Sequence, residues 1–371
     1  MIYLDNAATT YRKPKTVYTA VSKAIKTLSA NPGRGAHDLS INAAKAVYSA
    51  REDVCGLLNF QYPERVIFSL NATYALNFAI KGLIKERCHV LLSDVEHNSV
   101  IRPIQKLKDS IGIDYSFFDS NATSLSEELE KSIKPDTKFI VSTLASNVTG
   151  KEISIETLSR VAKNRGIKLI VDASQYAGHK EINLGKYPCS ALCAPGHKAL
   201  FGIMGVGFAV FDKGEDGDSL IEGGSGSMSE SRYMPINPPE HFEGGTLPLP
   251  AILSLSEGIQ YIKNIGYEEI KYKSEKLTER CAEMISSIPK TEIYGKNLGI
   301  ITFNIGGCNS EMTSAILNDN NICVRGGLHC APTAHKKLGT ESVGAVRVSL
   351  SHFSSEKEIY KLYLALKKNF I

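Results

Sequence analysis

The sequence predicts an α/β protein built on a mostly parallel sheet, followed by a smaller α+β unit. Three observations carry this. Apolar strand-like runs alternate with helical-period segments between residues 65 and 211, the pattern of a sheet covered on both faces. The 371 residues exceed what one hydrophobic core usually holds, so two units are expected, 16–250 and a smaller one formed by 1–15 with 251–371. Between them, 211–250 turns rich in Gly, Ser and Pro and is too long for an ordinary connector, which marks it as functional or disordered.

In order, YLDNAATT is a short apolar start that turns small and polar, so that backbone can approach a ligand, and Pro14 then opens a helix. NPGRGAHDLS reads as a loop ending in a helix capped by Asp38 or Ser40, with Ile41, Ala44, Val47, Val54 and Leu58 on its inner face. RVIFSL is a strand, and NATYALNFAIKGL a loop entering a helix. Asn71, Ala72 and Thr73 sit at that helix start, either as plain caps or as a phosphate seat. Alternation continues through HVLLSD, helix 99–110, DYSFFD, helix 124–132, KFIVSTLAS, helix 156–165, KLIVDAS and VGFAVF. Helices 251–264 and 267–288 come next, then the strand-like LGIITFNI, NICVRG and AVRVSLS. The last helix opens on a Ser355–Glu358 capping box.

Composition excludes several classes. Hydrophobic content of 43%, charged content of 22% and a net charge of +4 spread along the chain give no footprint for nucleic acid or a membrane surface. No apolar run approaches the roughly 20 residues that span a bilayer. Met1–Asp5 lacks the regions of a signal peptide, so a cytoplasmic protein is expected. The 8 cysteines follow no regular spacing and read as reduced thiols.

The chemistry centres on residues 168–207. Lys168–Val171 and Ser190–Ala194 are apolar runs that deliver Asp172 and Lys198 to strand ends, the second run broken by Pro195 and Gly196. In open parallel sheets ligands bind at those ends. A lysine for covalent attachment and an acid for a pyridinium nitrogen are what pyridoxal phosphate needs. The plainer alternatives are Asp172 as the cap of a helix beginning near Ser174 and Lys198 as a solvated loop lysine. His97, in the loop EHNS, either stacks on a flat ring or is a surface residue. Cys330 lies in a Gly-bearing loop with Arg325 and His329, whose charge favours a thiolate over the ordinary buried-hydrophobe role. Cys323, His329, Cys330 and His335 are metal-ligating types, but their spacing fits no common zinc pattern and no metal is expected.

YLDNAATT, NPGRGAHDLS, NATYALN, EHNSV, SNVTG, VDASQ, GHK, FEGGT, VRGGLHC and VRVSL run in order from residue 3 to residue 351. With them the chain resembles the class V aminotransferase family of pyridoxal-phosphate enzymes, in its cysteine desulfurase and selenocysteine lyase branch. The resemblance implies fold type I, with a seven-stranded, mostly parallel sheet in the large domain and a smaller α+β C-terminal domain. It implies that Lys198 carries the cofactor, Asp172 pairs with the pyridinium nitrogen, Gln175 bonds the phenolic oxygen and His97 stacks on the ring as a catalytic residue. Ala72, Thr73 and His197 would cradle the phosphate, with Thr246 of FEGGT reaching over from the partner subunit of a homodimer. Arg347, Asn147, Arg325 and Ala8 would hold the substrate, and Cys330 would be the nucleophile.

The activity so implied is conversion of L-cysteine to L-alanine, with the sulfur held as a persulfide on Cys330 for a sulfur-acceptor protein. Rival readings are a selenocysteine lyase, a cystine carbon–sulfur lyase, an aminotransferase that does not use Cys330, and a non-catalytic scaffold, against which the intact Lys198 and Asp172 speak. The chain departs from the family pattern at Pro195, where a Ser or Thr hydroxyl usually meets the phosphate, so phosphate binding leans on Thr73, His197 and backbone amides. His352-Phe353-Ser354 replaces the usual Tyr-Asn-Thr, and Cys193 lies close to the lysine.

Overall fold

The computed structural model describes residues 1–33 and 35–371; Arg34, in the loop read as NPGRGAHDLS, lies outside them. The chain opens with β1 (Ile2–Tyr3), α1 (Lys15–Thr27) and α2 (Asp38–Leu58). It then runs through β2 (Val66–Ser69), α3 (Ala72–Leu83), β3 (His89–Ser93), α4 (Asn98–Ile111), β4 (Asp114–Phe118), α5 (Leu125–Ser132) and β5 (Thr137–Thr143). After α6 (Ile155–Arg165) come β6 (Lys168–Asp172), β7 (Ala191–Pro195) and β8 (Gly207–Phe211). The remainder is α7 (Leu249–Ile265), α8 (Tyr267–Ser286), β9 (Thr291–Asn297), β10 (Ile300–Ile305), α9 (Ser310–Asp319), β11 (Ile322–Cys323), α10 (Pro332–Leu338), β12 (Val346–Ser349) and α11 (Glu356–Phe370).

The large sheet has the seven strands expected, in the order β2-β8-β7-β6-β5-β3-β4. All neighbouring pairs from β4 to β7 are parallel, and β8 runs antiparallel to both β7 and β2. The central strands are buried on both faces because helices cover both, so they read as continuous apolar runs. Successive residues still alternate in partner. Leu169 and Val171 pack into a core with Val47, Val54, Leu158 and Ile252. Ile170 points the other way, into a core with Leu76, Ile80 and Ile104.

A third core joins Leu4 to Leu277, Ile301, Phe303, Val348 and Leu362 beneath the antiparallel sheet β12-β10-β9. Strand β1 pairs in parallel with β11, which ties the N-terminus to this region. Helix α7 packs on α1 and α2 and contributes Ile252, Leu255 and Ile259 to the core of the large sheet.

Local signals are realised in part. The Ser355–Glu358 capping box forms with both of its bonds. Helix α2 is capped one residue earlier than Asp38, by His37, whose Nδ1 accepts the Ser40 N–H at 3.3 Å. The Ser40 hydroxyl is occupied instead by the Asn31 carbonyl, at 2.7 Å. Residues 212–248 contain neither helix nor strand. No helix among the described residues is long and apolar enough to cross a membrane. All eight cysteines are unpaired.

Candidate active site

Strand β6 ends on Asp172, and β7 runs on into the turn carrying Lys198, so both side chains leave the sheet at the carboxyl ends of parallel neighbours. They face one cavity of about 260 Å³, whose wall also holds Ala72, Thr73, His97, Asn147, Gln175 and His197. Asp172 is buried, and its Oδ1 accepts the Ser174 N–H at 2.8 Å. The capping alternative is therefore realised only as a turn, because no helix begins at Ser174. Pro195 does not break β7 but closes it, opposite Gly207, where a strand end tolerates the missing N–H.

The lysine's turn is stapled by the N-terminal segment. The His197 carbonyl accepts the Thr10 N–H at 3.1 Å, and the Thr10 hydroxyl donates to the Lys198 carbonyl at 3.0 Å. Gln175 Nε2 donates to the Ala7 carbonyl at 3.0 Å, so the same segment also braces Gln175. Ala8 turns back on Asp5, its N–H donating to the Asp5 carbonyl at 3.1 Å, and it is absent from the cavity wall.

The opposite wall is made by two helix starts. Asn71 caps α3, and Gly207 lets that cap press on the sheet, since a Cβ there would lie 2.7 Å from the Asn71 carbonyl carbon. His97 caps α4 by accepting the Ser99 N–H through Nδ1 at 3.0 Å, which puts its own proton on Nε2. Ser99 Oγ lies 2.9 Å from the same nitrogen and 2.8 Å from Thr73 Oγ1. The two first turns are thus joined through hydroxyls, with free amides at their N-termini.

Burial sets the protonation states. It pulls His97 down to about 4, opposed by Asp172 and reinforced by Lys198, Arg325 and Arg347, so the ring is neutral. Burial, with Lys198 and Lys13, likewise pulls His197 down to about 4. Lys198 is lowered to about 8, first by burial and then by Arg347 and Arg325, with Asp172 and Asp5 opposing. His197 Nδ1 is buried without a hydrogen-bond partner among the described residues.

Beside the cavity, Arg347 is buried. Its Nη1 donates to the Asn147 carbonyl and its Nη2 to Asp5 Oδ1, both at 2.9 Å, while Nε has no partner among the described residues. Arg325 and Arg347 exchange backbone hydrogen bonds at 3.2 and 2.7 Å, and the Arg325 residue is exposed. Cys330 is exposed on the loop before α10, and its carbonyl accepts the Asn98 N–H at 2.7 Å. The charge expected from His329 is absent: burial, aided by Arg347, pushes it down to about 3. Thr246 is exposed and outside the cavity wall, its hydroxyl accepting from Asn31 Nδ2 at 3.4 Å.

Three residues of the site were missed from sequence. Ser99 and Asp5 stand inside EHNSV and YLDNAATT, and their being polar within those motifs is the only signal. Glu96, in the same loop as His97, is wholly buried; its Oε1 accepts from Ser93 Oγ and, at 2.6 Å, from the Thr143 N–H. Burial pushes its carboxyl up to about 8, which leaves it protonated at neutral pH. Thr143 lies opposite Asp172 in the sheet, so Glu96 braces the strand end that presents the acid.

The sheet, its topology and the lysine and acid at its carboxyl edge define a fold type I pyridoxal-phosphate enzyme. The family model for class V aminotransferases matches residues 2–362, and the chain belongs to that family. It is 32% identical to a probable cysteine desulfurase of Methanothermobacter thermautotrophicus, across 97% of this chain and 92% of the relative. A probable cysteine desulfurase of Pyrococcus abyssi is 30% identical over the same shares. Among solved structures, the apo cysteine desulfurase from Thermococcus onnurineus NA1 is 30% identical. It superposes with a TM-score of 0.91 over 100% of this chain and 94% of its own.

Proposed function

We propose that this chain is a pyridoxal-phosphate-dependent cysteine desulfurase, which converts L-cysteine to L-alanine and takes the sulfur as a persulfide on Cys330. The observation that carries this is the placement of Cys330. It is an exposed thiol whose backbone is bonded to Asn98, next to His97, while Asn147 of the cavity wall holds the preceding carbonyl at 2.8 Å. When bound, pyridoxal phosphate supplies the electron sink that makes the substrate's α-proton and its Cβ–Sγ bond labile.

The cavity fits that group. The orphaned His197 Nδ1 and the joined helix starts at Ala72, Thr73 and Ser99 suit the phosphate, neutral His97 suits a flat ring, and Asp172 suits the pyridinium nitrogen. Lys198 would hold the group covalently and would be the residue that moves the substrate α-proton. Arg347 and Asn147 orient the substrate carboxylate. The Cys330 thiolate attacks the substrate Sγ, the Cβ–Sγ bond breaks, and the carbon is protonated to give alanine. The deciding test is to offer L-cysteine, L-selenocysteine, L-cystine and a keto acid with an amino donor, and identify the product. Alanine from cysteine supports the proposal; pyruvate alone, or a new amino acid, overturns it.

Two expectations arise from the site. A lysine held near 8 is mostly protonated below that pH, and only the neutral amine is a nucleophile. Uptake of pyridoxal phosphate by the cofactor-free chain, monitored by absorbance, should therefore accelerate as pH rises towards about 8 and level off above it. A rate still climbing steeply near the ordinary lysine range would show that Lys198 is not lowered. Arg347→Ala should raise KM for cysteine by about 10- to 100-fold, the worth of a charge-assisted pair of hydrogen bonds, with kcat reduced less. An unchanged KM would remove Arg347 from the carboxylate site.

We further propose a homodimer in which Thr246 serves the partner's cavity. Thr246 lies outside its own cavity wall, and apolar Leu39, Ile41 and Tyr48 of α2 are exposed, as are Leu70, Tyr74, Tyr233 and Ile236. We also divide the chain into units 16–250 and 1–15 with 251–371, with α7 packed across the boundary on α1 and α2. A cytoplasmic setting and a protein acceptor for the sulfur complete the reading.

A further inference from the structure

We propose that His335 is a positioning residue for Cys330, acting through a one-directional chain of hydrogen bonds from Thr340 through His335 and His329 to the Arg325 carbonyl. This rests on the reading of Cys330 as the sulfur-accepting thiol. The loop it would hold is strained. His329 and Cys330 are consecutive residues at positive φ, +51° and +56°, a region costly for any side chain with a Cβ and kept only where the surroundings enforce it.

Part of that enforcement comes from the cavity side, where Asn98 N–H and Asn147 Nδ2 bind the carbonyls of Cys330 and His329 at 2.7 and 2.8 Å. The remainder comes from behind. His329 Nε2 lies 3.2 Å from the Arg325 carbonyl, which can only accept, so that nitrogen carries the proton. The bare Nδ1 of a neutral His329 then needs a donor, and His335 Nε2 is 3.1 Å away. His335 Nδ1 is in turn left to accept, and the Thr340 hydroxyl, 2.8 Å from it and 3.5 Å from the His335 carbonyl, gives its one proton to the nearer nitrogen.

With both rings neutral, this is the one proton arrangement that satisfies every ring nitrogen. Both rings are buried and lie nearly parallel, with centroids 5.3 Å apart. Burial first, then the Arg347 charge, opposes protonation of His329, with the Arg325 carbonyl favouring it and the charges of His335 and Arg325 adding to the opposition; burial also lowers His335. Helix α10 begins at Pro332 with no side-chain cap, so His335 is the side chain that ties this helix back to the loop before it. Neither ring lines the cavity, which makes this a device for aiming the thiol and not for chemistry.

The test uses the holoenzyme and three variants. His335→Phe keeps the ring and removes the donor; His335→Gln returns an amide donor near the same place; Thr340→Val frees only the end of the chain. His335→Phe should slow persulfide formation at least ten-fold with KM for cysteine and the cofactor absorbance unchanged, and His335→Gln should recover most of the rate. Nitrogen-15 spectra of labelled histidine should show His329 and His335 each fixed as the Nε2–H tautomer, and both should keep it in Thr340→Val, where only the His335 Nδ1 signal shifts.

Wild-type persulfide rates in His335→Phe, a His329 proton on Nδ1, or a folded His335→Gln as slow as His335→Phe would each overturn the proposal. Should His335→Phe not fold, the Gln and Val variants and the tautomer spectra decide. The tautomers do not depend on the reading of Cys330. That reading fails separately, if Cys330→Ser still forms a protein persulfide.

Discussion

Cys330→Ser should lose persulfide formation and sulfide release from L-cysteine by at least about 1,000-fold, the usual cost of deleting a nucleophile, while cofactor absorbance and thermal stability stay at wild-type values. The physical ground is separation of duties. Cys330 is exposed, and among the described residues its hydrogen bond is a backbone one, from the Asn98 N–H, so an oxygen in place of sulfur disturbs no packing. A surface exchange of this kind changes stability by roughly 0.5 kcal/mol or less. The cofactor's wall, with Asp172, Lys198 and His97, does not include Cys330 and should bind as before. The variant should still change its absorbance on mixing with cysteine, because the first half of the reaction uses Lys198 and Arg347. Loss of that change would place Cys330 in binding.

Lys198→Ala should be the most damaging single exchange. It removes both the covalent anchor and the group that moves the α-proton, and general acid–base help alone contributes about 100- to 10,000-fold. The yellow absorbance of the bound cofactor should disappear from the purified protein, and activity should fall below detection. The fold should not suffer. Lys198 is a half-buried residue whose lowered pKa records the cost of keeping a charge on its amine, and alanine relieves that cost. The turn itself is held by backbone and Thr10 bonds that alanine keeps. Retention of the absorbance at full strength would mean that another amine carries the cofactor.

Asp172 and Lys198 were readable because strand ends are visible in sequence: where an apolar run stops, the next polar side chains stand at the sheet's edge. The alternation of runs fixed the parallel part of the sheet for the same reason. Periodicity does not encode direction, so the antiparallel course of β8 emerges only in the structure, from the short return between Pro195 and Gly207.

Long-range pairings are invisible for a related reason. Nothing local says that Asp5 meets the Arg347 guanidinium 342 positions away, or that Thr10 closes the lysine's turn 188 positions away. At α2, Asp38 and Ser40 are the better capping types, yet His37 caps, because the Ser40 hydroxyl is taken by Asn31. His329 was expected to lend charge to the thiol. Burial reverses that, and the ring serves as a neutral link between Arg325 and His335.

The most direct measurement of the central claim is mass spectrometry of the holoenzyme after brief mixing with L-cysteine, with peptide mapping and the amino-acid product identified in the same sample. A single added sulfur atom on the peptide containing Cys330, formed in step with L-alanine and absent from Cys330→Ser, is the predicted result. Added sulfur on another cysteine, or pyruvate released with no sulfur on the chain, would contradict it.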